Sequence, residues 1–136
     1  MFRLAFFCIT LLASAPLAAQ EGDDTAGIRS SISDQMQAFR DGDLATAFGF
    51  AAPGIQSMFA TPERFGLMVE NGYPMVWQPG EVTFGELREE GGRLWQKVIV
   101  RGPKGALHAL DYEMIDMGGL WRIGGVRLLE APEMAV

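Results

Sequence analysis

The chain has 136 residues, 49% of them apolar, with 17 acidic against 11 basic side chains and a net charge of −6. That length suits one domain and excludes a multidomain enzyme, a large barrel or a repeat array. The acidic balance argues against nucleic acid as a partner, because phosphate binding needs clustered Lys and Arg.

Residues 1–19 have the layout of a secretory signal peptide. Arg3 supplies the positive start, residues 4–13 form a short apolar run, and Ser14-Ala15-Pro16-Leu17-Ala18-Ala19 is a small-residue cleavage region. An apolar stretch this short, followed by Pro16, falls below the roughly 18 residues a membrane span needs. Cleavage near Ala19 is expected, with a periplasmic or secreted bacterial product that keeps no membrane span. The remaining 117 residues carry a net charge of −7 and no cysteine, since Cys8 leaves with the leader. The mature chain then has no disulfide, no thiolate nucleophile and no Cys metal ligand.

Residues 20–25 (QEGDDT) are polar and acidic and read as a flexible start. Ile28, Ile32, Met36 and Phe39 then recur at spacings of 4, 4 and 3, which predicts one buried face of a helix. Gly42 suits its left-handed cap and Asp43 the start of the next helix. Leu44, Ala47, Phe48 and Ala51 continue the helical spacing as far as Pro53, and residues 55–59 add one more turn. Thr61-Pro62-Glu63 is a helix start: a capping hydroxyl, Pro at the first position and an acid in the first turn. Phe65, Met68 and Val69 form its buried side, and Asn71-Gly72 ends it.

After residue 74 the period changes. Residues 75–78 read as a short strand, and Pro79-Gly80 as a turn. Val82, Phe84 and Glu86 alternate on one side of a second strand, which Gly91-Gly92 closes as a hairpin. Residues 94–101 place Leu94, Gln96, Val98 and Val100 on one face and Trp95, Lys97, Ile99 and Arg101 on the other. Strands over 107–117 and 120–129 follow, and Gly124-Gly125 predicts a bulge or sharp bend in the last. Short turns imply antiparallel pairing. The expected architecture is α+β: N-terminal helices packed on a curved antiparallel sheet, one domain over residues 26–130, with a loose tail over 131–136.

This order resembles the nuclear transport factor 2-like superfamily, a cystatin-like cone that ketosteroid isomerases also use. The segment Gly119-Leu120-Trp121-Arg122-Ile123-Gly124-Gly125-Val126 looks like that superfamily's last strand. More specifically, the chain resembles the domain of unknown function 4864 family of exported bacterial proteins. The matching stretches are Ile32-Ser33-Asp34-Gln35-Met36-Gln37-Ala38-Phe39-Arg40-Asp41-Gly42-Asp43, Ala47-Phe48-Gly49-Phe50-Ala51-Ala52-Pro53 and Phe65-Gly66-Leu67-Met68-Val69-Glu70-Asn71-Gly72-Tyr73-Pro74. The resemblance covers about residues 26–130 and implies a fold but no catalytic residues.

Candidate chemistry is sparse. His108 is the only histidine, so no metal site and no cofactor is implied. No Gly-x-Ser-x-Gly signature occurs. Asp111 and Glu113 share a strand face, with Asp116 beyond them, while Leu110, Tyr112 and Met114 share the other. Alternation therefore sends the acids toward water. The run from Glu86 to Glu90 reads as a solvated strand end, and Arg93, Lys97 and Arg101 make no patch large enough for nucleic acid. Phe50, Met68, Trp77, Tyr112 and Met114 are the expected borders of an apolar cavity between helices and sheet. Arg122 would either reach into that cone to bind a carboxylate or pair with Glu113. Trp95 and Ile99 mark a sheet face for a homodimer. The first functional reading is a non-catalytic module binding a small apolar ligand or a protein partner. The alternative is a ketosteroid-isomerase-like enzyme (isomerase, cyclase or hydrolase) using an inward carboxylate with Tyr112.

Overall fold

A computed structural model describes residues 17–130, with side chains from Asp24 onward. Most of the expected leader and the whole of the expected tail over 131–136 lie outside the described residues. Helix α1 spans Leu17–Arg40, so residues 20–25 are helical rather than a flexible start. The predicted stripe is buried: Ile28 and Ile32 are fully enclosed, as are Met36 and Phe39 to within a few per cent. Gly42 ends the helix at φ +69°, where a side chain would be strained.

Asp43 caps α2 (Leu44–Gly49) by accepting hydrogen bonds from the Thr46 amide at 3.2 Å and the Thr46 hydroxyl at 2.6 Å. These bonds hold its carboxyl below the usual carboxylate range. Helix α3 covers Pro53–Phe59, and α4 covers Pro62–Gly72. Thr61 caps α4, its hydroxyl accepting from the Arg64 amide at 3.2 Å. Residues 75–78 are not a strand. Helix α5 takes Pro74–Trp77, with Pro74 in its first turn, and buries Met75 and Val76. Proline at a helix start needs no amide partner, and that outweighed the local β-preference of Val76 and Trp77.

Four strands follow: β1 (Val82–Glu90), β2 (Arg93–Arg101), β3 (Leu107–Met117) and β4 (Leu120–Leu128). They pair antiparallel in the order β1-β2-β3-β4. The β1–β2 and β3–β4 turns place Gly91, Gly92, Gly118 and Gly119 at φ values of +61° to +92°. Two-residue hairpin turns of the type that matches strand twist need this conformation. Gly124 is the extra residue of a bulge in β4, since Glu113 pairs with Gly125 and Met114 with Ile123. A second bulge in β1 falls between Phe84 and Leu87, which breaks the expected alternation. Leu87 thus packs on the core beside Val82 and Phe84, and Glu86 is exposed.

The helices cover one face of this curved α+β sheet. Ile28, Ile32 and Met36 of α1 pack with Val98, Val100, Leu110 and Ile123 of the sheet. Each fully buried aliphatic side chain contributes about 1.5–3 kcal/mol of transfer free energy. Phe65 of α4 gathers Phe39, Phe48 and Phe59 at ring separations of 5.5–5.8 Å. The chain after α2 is stitched to β4: the Ile123 amide donates to the Phe50 carbonyl and the Ala52 amide to the Ile123 carbonyl, both at 2.8 Å. Among the described residues, no helix is long and apolar enough to cross a membrane.

Candidate functional site

A cavity of about 80 Å³ lies between α1, α3, α4, α5 and the inner face of β3 and β4. Phe39, Phe65, Val69, Val76 and Ile123 make its apolar wall, and Ile55, Phe59 and Met68 form a half-buried rim. Three polar side chains also line it: Gln35, Tyr73 and Tyr112. Gln35 projects from the buried stripe of α1 and donates to the Ala47 carbonyl at 3.1 Å. The Tyr73 hydroxyl donates to the Val126 carbonyl at 3.3 Å. Tyr112 sits on β3 between Gln96 and Val126 and is fully buried. Its hydroxyl has no hydrogen-bond partner. Burial drives the phenol pKa well above its ordinary value, and the neighbouring Tyr73 adds to the shift. The phenol is therefore a neutral donor at any ordinary pH.

Of the residues expected to border a cavity, Met68 and Tyr112 do so. Trp77 packs on Phe39 at 5.6 Å instead. Phe50 and Met114 belong to the surrounding core and do not line the cavity. Arg122 pairs with Ile115 on the opposite face of the sheet, so it does not enter the cone. It forms no ion pair with Glu113, whose contact is Arg93 at 3.8 Å. Gln35 was legible in the sequence as a polar residue on an apolar helical stripe. Tyr73 carried no such signal, because its position follows from the break between α4 and α5.

Asp111 corrects a clear expectation. Alternation sent it toward water, yet it is completely buried on the outer sheet face. Arg88 grips it with two hydrogen bonds of 2.9 and 2.5 Å, and Arg127 lies 3.5 Å away. The Arg88 guanidinium, with help from Arg127 and Lys97, holds the carboxyl below its usual range. The run from Glu86 to Glu90 is thus not merely a solvated end, since Arg88 reaches across from it. Trp95 lies under the Arg127 guanidinium, 3.7 Å from the ring centre, and is only 6% exposed. At Trp95 the face therefore presents a guanidinium rather than an indole.

Among the described residues, no carboxylate lines the cavity. The alternative that paired an inward acid with Tyr112 lacks its base, because Asp111 and Glu113 both lie on the far side of the sheet. His108 stands near the β2–β3 turn, close against Gly102. Among the described residues, no group of three His, Cys, Asp or Glu side chains is placed to hold a metal. What the site can do is enclose a small apolar group against the buried Tyr112 side chain.

A search of curated proteins and a search of solved structures returned no match. A family model described as a domain of unknown function, DUF4864, matches residues 21–136, and the chain belongs to that family.

Proposed function

We propose that the protein is an exported, non-catalytic module that binds a small, largely apolar ligand in the cavity between its helices and its sheet, within a cone of the nuclear transport factor 2-like kind. One observation carries the reading: the unpartnered hydroxyl of buried Tyr112, a lining residue of a largely apolar cavity whose other polar side chains, Gln35 and Tyr73, are already hydrogen-bonded. Leaving a buried hydroxyl unpaired costs about 1–3 kcal/mol, and a ligand whose entry turns the Tyr112 ring toward one acceptor atom recovers that cost on binding. The enclosed volume of about 80 Å³ is near half that of a cavity known to hold benzene, about 150 Å³. The enclosed group is thus smaller than an aromatic ring, and the rest of the ligand extends past the rim of Ile55, Phe59 and Met68. Export rests on Arg3, the apolar run and the small residues before Gln20.

The test is a nuclear magnetic resonance titration with small probes such as acetone and isobutene, similar in shape but differing in the acceptor. Acetone should shift resonances of Tyr112, Val69 and Ile123 and bind more tightly than isobutene. Absence of shifts at these residues with either probe would refute the binding reading. Fractionation of cells expressing the full chain tests export: the shortened product belongs outside the cytoplasm, and an uncleaved cytoplasmic chain contradicts the leader.

A further inference from the structure

The outer face of the sheet is charged in the opposite sense to the rest of the protein. Six of the chain's 11 basic residues project from it: Arg88, Arg93, Lys97, Arg101, Arg122 and Arg127. The acids at its paired positions are Glu90, Asp111 and Glu113, and Glu86 in the β1 bulge brings them to four at most. The whole chain, by contrast, has 17 acids against 11 bases. Three of the four acids are already engaged: Asp111 by Arg88 and Arg127, Glu90 by Arg88, and Glu113 by Arg93. Arg127 keeps half of its side chain exposed while its guanidinium sits over the Trp95 ring, 3.7 Å from its centre. A guanidinium held this way has lost its rotational freedom before any partner arrives. The Arg122 Nε is buried without a partner, and among the described residues no acid lies in ion-pair contact with Arg122 or Lys97.

We propose that this outer sheet face docks an acidic protein surface, with Arg127, Arg122 and Lys97 receiving its carboxylates. Charge complementarity selects this occupant. Five of the six cations are arginines, whose planar fork matches carboxylates and which are enriched at protein interfaces where Lys is depleted. Half-buried Ile99 and Ile115 lie among them, giving the partner apolar contact as well. A second copy presenting the same face would set cations against cations. A nucleic acid or an anionic bilayer responds to a larger unbroken positive field than this mixed pattern supplies.

The experiment is a titration of isotope-labelled protein with poly-L-glutamate at low salt, followed by amide resonances. The expected result is shifts confined to outward positions of β2, β3 and β4, with affinity falling as salt rises. The double variant Lys97→Gln/Arg122→Gln should weaken binding about tenfold or more, while Arg64→Gln on α4 leaves it unchanged. Restoring charge with Lys97→Arg/Arg122→Lys should recover binding and separates charge loss from misfolding. Tighter binding to heparin or to phosphatidylglycerol vesicles, shifts on the helical face, or self-association lost in the double variant would each overturn the proposal. So would an absence of binding.

Discussion

Tyr112→Phe separates an orphaned hydroxyl from a satisfied one by the sign of its effect. The side chain is fully buried and its oxygen has no partner. Removing an oxygen that no group pairs with relieves a desolvation cost of about 1–3 kcal/mol, while the ring still fills the same space. We predict that Tyr112→Phe stabilises the ligand-free protein by about 1–2 kcal/mol, a rise of roughly 4–8 °C in Tm for a domain of this size. Calorimetry and urea unfolding of both proteins measure it, and an unchanged m-value shows that the unfolded state is the same. The same variant should lose affinity for acceptor-bearing probes but not for their hydrocarbon analogues, since only the former use the hydroxyl. A destabilisation of about 1 kcal/mol or more would show that the hydroxyl is already satisfied, by ordered water for example, and the reasoning would fail.

Phe65→Ala should cost about 3–5 kcal/mol, because Phe65 joins three other rings and also lines the cavity; if the fold survives, larger apolar probes should bind, and unchanged probe selectivity in titration would contradict the assigned wall. Asp111→Ala should cost about 3 kcal/mol in urea unfolding, since it leaves Arg88 and Arg127 facing each other without their shared anion. Acid titration of stability checks the same group. The folded pKa of Asp111 is lowered, so its stabilisation is complete above the ordinary Asp range near pH 4 and is lost as pH falls through the folded value. Asp111→Asn should therefore flatten the stability profile below about pH 4, and an identical acid slope in both proteins would argue against the pairing. Gly27→Ala brings a methyl within 2.9 Å of the Trp121 ring, so the gain of about 1 kcal/mol in helix propensity should be cancelled, with a change in Trp fluorescence as the sign that the indole has moved.

Much of the fold was legible because local signals and burial agreed. The spacing of Ile28, Ile32, Met36 and Phe39 gave a buried helical face, and the same residues line the core. Thr61 and Pro62 marked the start of α4, and Gly91-Gly92 marked the β1–β2 hairpin. Gly124 was a sound pointer to a bulge. The reading failed where two local rules competed. Residues 75–78 offered both a β-prone sequence and a proline that starts a helix, and burial of Met75 and Val76 decided for α5. Glu86 followed a strict alternation that the β1 bulge interrupts.

The site was less legible, because cavities and ion pairs join residues far apart in the chain. Tyr112 was visible as an inward residue from alternation, but the lack of a partner for its hydroxyl depends on α1, α4 and β4 together. Asp111 shows the limit most clearly. Alternation assigned its face correctly, since it does point away from the helices. Only the diagonal reach of Arg88, 23 residues earlier, together with Arg127, decided that this outer carboxylate would be buried. Periodicity is a property of one strand and determines which face a side chain takes. Burial on that face depends on neighbours brought by other strands. The sequence by itself thus determined the helices-then-sheet order, the hairpins and the inward stripe. Tertiary structure alone decided the cavity, its orphaned hydroxyl and the excess positive charge gathered on the outer face of an acidic protein.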